Sequence, residues 1–433
     1  MAANRYRLQI HGVSSDLHAT NNAYKYIGNW TPVNRDEGFT LKAPFLKATS
    51  TNALKLFSAG MDLRGPGVLV RLSPTSAVAV GTRIRRSLQG NAISASLLTQ
   101  AVTGFSTPGR WRNSSFNLNS NAFAEWDLTY GRVIIQQNQH LLKAGVTLKR
   151  MMGQGAAYLQ GREVAYELTQ EAYRKGGDST LVLEHLQGSY AVANAEAQRD
   201  FDLAKAIQWL TGRGTSGQGW GADLGVVYEF DPVADPPSTS ETGNQVGASY
   251  KWRVAVSLND VGSVNYNRRA IAYDNFELND QAVSKEDITG VYLTNFDSKL
   301  NSALPLASLN SRNHLSTGLP TAFNCDLDYA FNRHLYLNAG LSQGIKGRYS
   351  RGMRQFSYAS LTPRFESKWL GVAFPFSFVN NYQQLNCGIA LRIGSATIGT
   401  NNMAALFSKQ DPRGFNVYSE LTLLRLEGKR VAH

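Results

Sequence analysis

The chain has 433 residues, 42% of them apolar, 10% aromatic and only 18% charged, with a formal charge of +12. No run of eighteen or more apolar residues occurs, and the charge-free stretch from Trp369 to Leu391 is broken by Pro375 and NNYQQLN, so a membrane-spanning helix is excluded. The bases are scattered in short clusters such as RIRR (83–86) and KGRYSR (346–351) with no reading motif, which predicts a solvated rim and no nucleic-acid partner.

Successive side chains of a strand point to opposite faces, so strict alternation marks a strand with two unlike faces. RYRLQIHG sets Tyr6, Leu8 and Ile10 against Arg5, Arg7 and Gln9. LLKAGVTLK sets Leu142, Ala144, Val146 and Leu148 against Lys143, Gly145, Thr147 and Lys149. In WGADLGVVYEF, Trp220, Ala222, Leu224, Val226, Tyr228 and Phe230 oppose Gly221, Asp223, Gly225, Val227 and Glu229. KWRVAVSLND puts Trp252, Val254, Val256 and Leu258 opposite Arg253, and AFNCDLDYA puts Phe323, Cys325, Leu327 and Tyr329 opposite Asp326 and Asp328. WLGVAFPFSF, QLNCGIALRI and FNVYSELTLL continue the scheme, with shorter candidates at 66–73, 76–87, 121–135, 333–342, 355–365 and 395–401.

About fourteen strands result. Eleven residues at roughly 3.3 Å each, tilted near 40°, give about 28 Å of height, close to the apolar band of an outer-membrane barrel. Short links at 73–76, 136–139, 331–333 and 394–396 alternate with long polar ones at 15–65, 88–120, 261–320 and 402–413, which is the barrel arrangement. A soluble sandwich also alternates, with its apolar face inward. Aromatics at the ends of the apolar faces and Gly, Ser, Asn and isolated charges opposite favour lipid outside and a polar lumen inside. The expected fold is therefore all-β: a single antiparallel transmembrane β-barrel over residues 1–433, with short helices in long loops. Segments 150–217, with the helical FDLAKAIQWL, and 282–301 are expected as insertions into loops or lumen.

The lumen-facing candidates are Asp223, Glu229, Arg253, Lys149, Asp326 and Asp328; Trp220, Tyr228, Phe230, Trp252 and Phe378 are candidates for a lipid-facing girdle. The lumenal carboxylates are expected to pair with lumenal bases rather than to act as acid–base catalysts. GRGTSG (212–217) matches G-x-G-x-x-G but follows a helix and precedes a strand, the reverse of a dinucleotide site. The seven histidines form no ligand pair, Cys325 and Cys387 suit small apolar roles, and no serine has a nucleophile motif. No catalytic, cofactor or metal site is expected.

GWGADLGVVYEFDP (219–232) resembles a G-x-G-x-D-x-G-x-x-Y strand of FadL-like barrels of Bacteroidetes, including the PorV group of the type IX secretion system. HLLKAGVTLKRMMGQGAAYL (140–159), WRVAVSLNDVGSVNY (252–266), DLRGPGVLV (62–70), LRIGSATIGTNN (391–402) and DPRGFNVYSEL (411–421) look, in that order-preserving set, like a Bacteroidetes outer-membrane family of unknown function. The resemblance implies a non-enzymatic barrel in the bacterial outer membrane, surrounded by lipid and lipopolysaccharide and docking a secretion-system or other membrane partner. The alternative it implies is a FadL-like channel or transporter for small hydrophobic solutes. Such proteins carry a signal peptide and, in FadL types, an N-terminal hatch; MAANRYRLQI shows neither, which suggests a mature or engineered chain or one that is not exported, and weighs toward the accessory role. LEGKRVAH stands where barrels commonly end on an aromatic residue.

Overall fold

The computed structural model describes residues 6–28, 43–49, 51, 53–168, 180–194, 203–232, 250–284, 296–306, 309–407 and 412–427. In chain order the strands begin with β1 (Tyr6–Asn21), the small pair β2 (Tyr24–Tyr26) and β3 (Leu46–Ala48), β4 (Lys55–Arg64) and β5 (Gly67–Ser73). Next come β6 (Ser76–Ile93), β7 (Gly109–Gln137), β8 (His140–Leu168), β9 (Thr180–Ala193), β10 (Gly217–Phe230), β11 (Trp252–Tyr266) and β12 (Ala270–Ser284). The remainder are β13 (Leu315–Gly318), β14 (Ala322–Ala330), β15 (Leu335–Gly344), β16 (Tyr358–Glu366), β17 (Leu370–Ala373), β18 (Phe376–Val379), β19 (Gln384–Cys387), β20 (Ile389–Ile393), β21 (Ala396–Thr400) and β22 (Gly414–Glu427).

Four wall strands are interrupted and count once each. β1 pairs with both β4 and β5, which are split at Gly65–Pro66. β11 likewise pairs with both β13 and β14, and β16 with both β17 and β18. Pro375 lacks an N–H and breaks the third of these; the Gly388 N–H, at the matching break between β19 and β20, bonds its carbonyl at 2.8 Å. The wall then has fourteen antiparallel strands, and β22 pairs with β1 from Thr20↔Gly414 to Tyr6↔Glu427, so the sheet closes without an edge. The predicted architecture holds.

Two strands rise far beyond the wall. β7 and β8 are each 29 residues long and pair from Gln137↔His140 up to Gly109↔Leu168. The lower part of β8 pairs with β10, and its upper part leaves that partner for β9, which in turn pairs with β12. The result is a four-stranded extension at the long-loop end. It has its own apolar core, in which Tyr166, Leu183, Leu278 and Leu306 are buried.

This corrects two expectations. Residues 88–93 and 109–120 are strand rather than loop, and 150–168 continue β8 instead of forming a loop or lumen insertion. The helix predicted in FDLAKAIQWL spans Leu203–Leu210 and lies against the outer wall, with Ala206 and Trp209 buried among Ile84, Ala122 and Ala124, while the Trp126 indole donates to the Leu210 carbonyl at 2.8 Å. Of 282–301, the described part ends β12 and forms the helix Phe296–Ala303, whose Leu300 and Ala303 pack on the extension core.

Candidate functional site

The two faces of the wall differ as the alternation predicts. Trp220, Leu224, Val226 and Tyr228 point out and are exposed, as are Leu128 and Val146 on neighbouring strands, Trp252 on β11 and Phe378 on β18. Phe230 is half-buried against the His140 ring, 5.2 Å away, and His140 Nδ1 lies 2.7 Å from the Tyr228 hydroxyl. At the opposite rim the Arg150 guanidinium covers the Trp220 ring at 5.0 Å. Between Trp220 and Phe230 the outer face carries no charge over ten residue steps, roughly 25 Å of tilted strand.

The six predicted inward residues fall into two separate groups on the face opposite the exposed apolar side chains. Near the short-turn end, Lys143 Nζ contacts Glu229 at 2.7 Å and Arg253 Nε approaches it at 3.7 Å. Arg364 grips Asp328 with both terminal nitrogens, at 2.7 and 2.6 Å, and Glu366 with Nε at 2.8 Å. Asp326 lies one inward position from Asp328 on β14.

At mid-height lies a denser network. Lys149 bridges Asp223 at 2.7 Å and Asp260 at 2.6 Å, and Arg85 holds both oxygens of Asp260 at 2.7 and 2.9 Å. Arg85 also reaches Glu125 at 3.1 Å, and Arg83 joins Glu125 to Asp62. Asp260 enters the lumen because of a bulge: the β10–β11 register slips between Ala222↔Val261 and Leu224↔Leu258, and Asp260 takes the left-handed conformation with φ 56°. Its N–H then donates to Asp223 Oδ1 at 2.7 Å. Each buried charge thus has an opposite partner, which offsets the desolvation cost of ions inside a wall.

The sequence had placed RIRR on a solvated rim. Arg83 and Arg85 instead face the lumen from β6, alternating with the outward Ile84. The run Arg83, Arg85, Ser87, Gln89 on one face was the signal available for this.

The segment 345–357 between β15 and β16 turns inward and roofs the lumen, a role given in the sequence to other loops. Side-chain amides of β7 and β8 hold its backbone: Asn117 donates to the Arg348 carbonyl at 2.8 Å and Gln160 to that of Tyr349 at 2.9 Å. Gln89 bonds both the N–H and the carbonyl of Arg354, at 2.8 and 2.9 Å. Gly352, with φ 98°, passes so close to β13 that a Cβ would lie 2.6 Å from the Gly318 carbonyl oxygen. Arg351 anchors the segment to the extension through Asp274 at 2.6 Å.

Beneath this roof the lumen holds two chambers. One, of about 680 Å³, runs toward the short turns and is bounded by His11, Asp127, Thr147 and Asn324. The other, of about 510 Å³, lies toward the long loops between His18, Ser87, Arg354 and Asn402. Arg64, Arg83 and Asp260 line both, so the ion network is the septum between them. The first lining is mostly polar; the second mixes its charges and amides with apolar surface from Met61, Met353, Phe356 and Phe415. Cys325 and Cys387 are free thiols on separate strands, and no group of three or more His, Cys, Asp or Glu suited to a metal ion occurs among the described residues. GRGTSG forms the turn from the outer helix into β10.

No curated protein matches the chain. Among solved structures, a FadL homologue of Pseudomonas aeruginosa is 11% identical, with TM-score 0.37, over 96% of this chain and 88% of that one. The toluene transporter TodX of Pseudomonas putida is 9% identical, with TM-score 0.36, over 96% and 87%. The translocator domain of the autotransporter NalP from Neisseria meningitidis is 10% identical, with TM-score 0.32, over 95% and 88%. The barrel assignment here rests on the closed strand pairing alone. The profile of a family of unknown function (DUF5723) matches residues 1–401, and the chain belongs to that family.

Proposed function

We propose that the chain is an outer-membrane β-barrel that passes small solutes through a lumen closed, in this conformation, by its own segment 345–357. The observation that carries this is the pair of lumenal chambers, about 680 and 510 Å³, which adjoin at Arg64, Arg83 and Asp260. A barrel serving only as a scaffold has no need of them. The uncharged outer face between its aromatic rims supports residence in a bilayer with lipid and lipopolysaccharide around it. The charges lining both chambers favour solutes with a polar group, and the apolar surface of the second, from Met61, Met353, Phe356 and Phe415, leaves room for a hydrophobic part, as the FadL-like resemblance implies. The PorV-like affinity belongs to this proposal too, supported by the 219–232 strand, and the Bacteroidetes affinity by that strand together with the five other motifs.

Conductance of the purified barrel in planar bilayers tests the reading. Replacing 347–354 by a short Gly-Ser link is expected to raise single-channel conductance well above that of the intact chain. A shortened chain that still migrates differently before and after boiling, yet conducts no more than the intact one, would overturn it. Extraction from cells into buffer without detergent would overturn membrane residence.

The extension favours a second role, because its apolar-cored sheet stands clear of the wall as a platform for a partner protein. Co-purification from native membranes, lost when residues 270–284 are exchanged for an unrelated strand, is the expected result.

A further inference from the structure

The two chambers differ in the sign of what they leave unsatisfied. In the chamber toward the short turns, the buried polar atoms without a partner are acceptors, Glu125 Oε2 and Asp127 Oδ1. In the chamber toward the long loops they are Arg85 Nε, Ser87 Oγ and Arg354 Nε, two obligate donors and a hydroxyl. The lining charges follow the same division: five arginines to three aspartates in the second chamber, three Arg and Lys to five carboxylates in the first.

Two guanidiniums in the second chamber stand out. Arg64 has no hydrogen bond or ion pair among the described residues and touches both chambers. Arg354 is fixed through its backbone by Gln89, while its guanidinium has no partner. A buried donor left unpaired, as Arg85 Nε and Arg354 Nε are, costs about 1–3 kcal/mol, and more when it is charged, so these two call for an acceptor; Arg64, which is exposed, adds a guanidinium at the edge of the same chamber. Guanidinium forks match planar or tetrahedral oxyanions, which accept two parallel charge-assisted bonds. Asn402, whose Nδ2 is held by the Gly414 carbonyl, adds its Oδ1 as a neutral acceptor for the rest of a solute.

We propose that this chamber is a binding site for a small solute carrying an oxyanion, a carboxylate or phosphate, held between Arg64 of the wall and Arg354 of the inserted segment. At about 510 Å³ the space lies in the range of small-molecule pockets, and the ligand would tie the roof to the wall.

Isothermal titration of the detergent-purified barrel at low salt, with inorganic phosphate and separately with succinate, tests this. Saturable binding of at least one anion is expected, weakened about tenfold or more by Arg64→Gln or Arg354→Gln and unchanged by Glu420→Gln in the other chamber. Heat-dependent gel migration certifies each variant as folded; should Arg354→Gln fail that check, Arg64→Gln decides alone. Absence of binding by both anions, or wild-type affinity in the glutamine variants, would overturn the proposal. The site requires the lumen geometry and not conduction, so anion binding by a barrel that never conducts would sustain it while defeating the channel reading.

Discussion

One strand serves two opposite environments. Between residues 140 and 153, β8 lies in the wall, where Val146 and Leu148 are exposed outward and Lys149 is buried within. Between 156 and 168 it lies in the extension, where Val164, Tyr166 and Leu168 are buried in an apolar core. The wall hides charge and displays hydrocarbon; the extension hides hydrocarbon. Alternation alone tells that a strand has two faces, and the partner strands decide which solvent each face meets.

The sharpest break of this contrast is expected at Asp260. Asp260→Asn leaves Arg85 and Lys149 facing one another without their shared carboxylate and should cost about 3–5 kcal/mol, measured as urea unfolding in lipid vesicles. A loss under about 1 kcal/mol would mean that lumen water, not pairing, satisfies those cations.

On the outer face, Leu224→Lys should cost about 2–4 kcal/mol in the same assay, as for a cation near a bilayer midplane. Thr147→Lys, pointing into the lumen, should cost far less. Equal penalties would contradict the inside–outside assignment.

The smallest effect belongs to the extension. The Tyr166 hydroxyl is buried without a hydrogen bond, and burial pushes its pKa up to about 12 from an ordinary value of 10.0. The neutral form is the one the fold favours, so its contribution is complete below pH 10 and is lost as pH rises toward 12. Tyr166→Phe should remove that part of the alkaline loosening and stabilise the extension by ~1 kcal/mol, seen as slower hydrogen exchange of the β8 and β9 amides. Identical alkaline profiles for both forms would show that the hydroxyl is hydrated.

Most of the wall was legible in the sequence because a period of two survives wherever one face meets a uniform environment. Where the environment changes, the pattern fails. β8 is cut short because the register slips between Ala122↔Gly155 and Phe123↔Gly153, where the extra Gln154 inverts which β8 residues face inward, from Lys149 below it to Gln160 above. Lys149, Asp223 and Glu229 were found because they interrupt otherwise clean strands. Asp260 was missed because its left-handed bulge breaks the alternation that would have revealed it, and because Arg85 lies 175 residues away in sequence. The roof was misplaced for a related reason: KGRYSR carries the charge of a surface loop, and only the strand amides that bind its backbone turn it inward.

The pairing of β1 with β22 sets the order of assembly. Asp16 meets Tyr418, its neighbour across roughly the whole length of the chain, so no ring exists until the final strand docks. Every earlier intermediate is an open sheet with two unpaired borders, each a template for another chain. Closure is also the contact with the greatest loop entropy to overcome, which makes it the slow step. A catalyst of assembly acting on this protein would therefore gain most by holding the first strand in wait for the last.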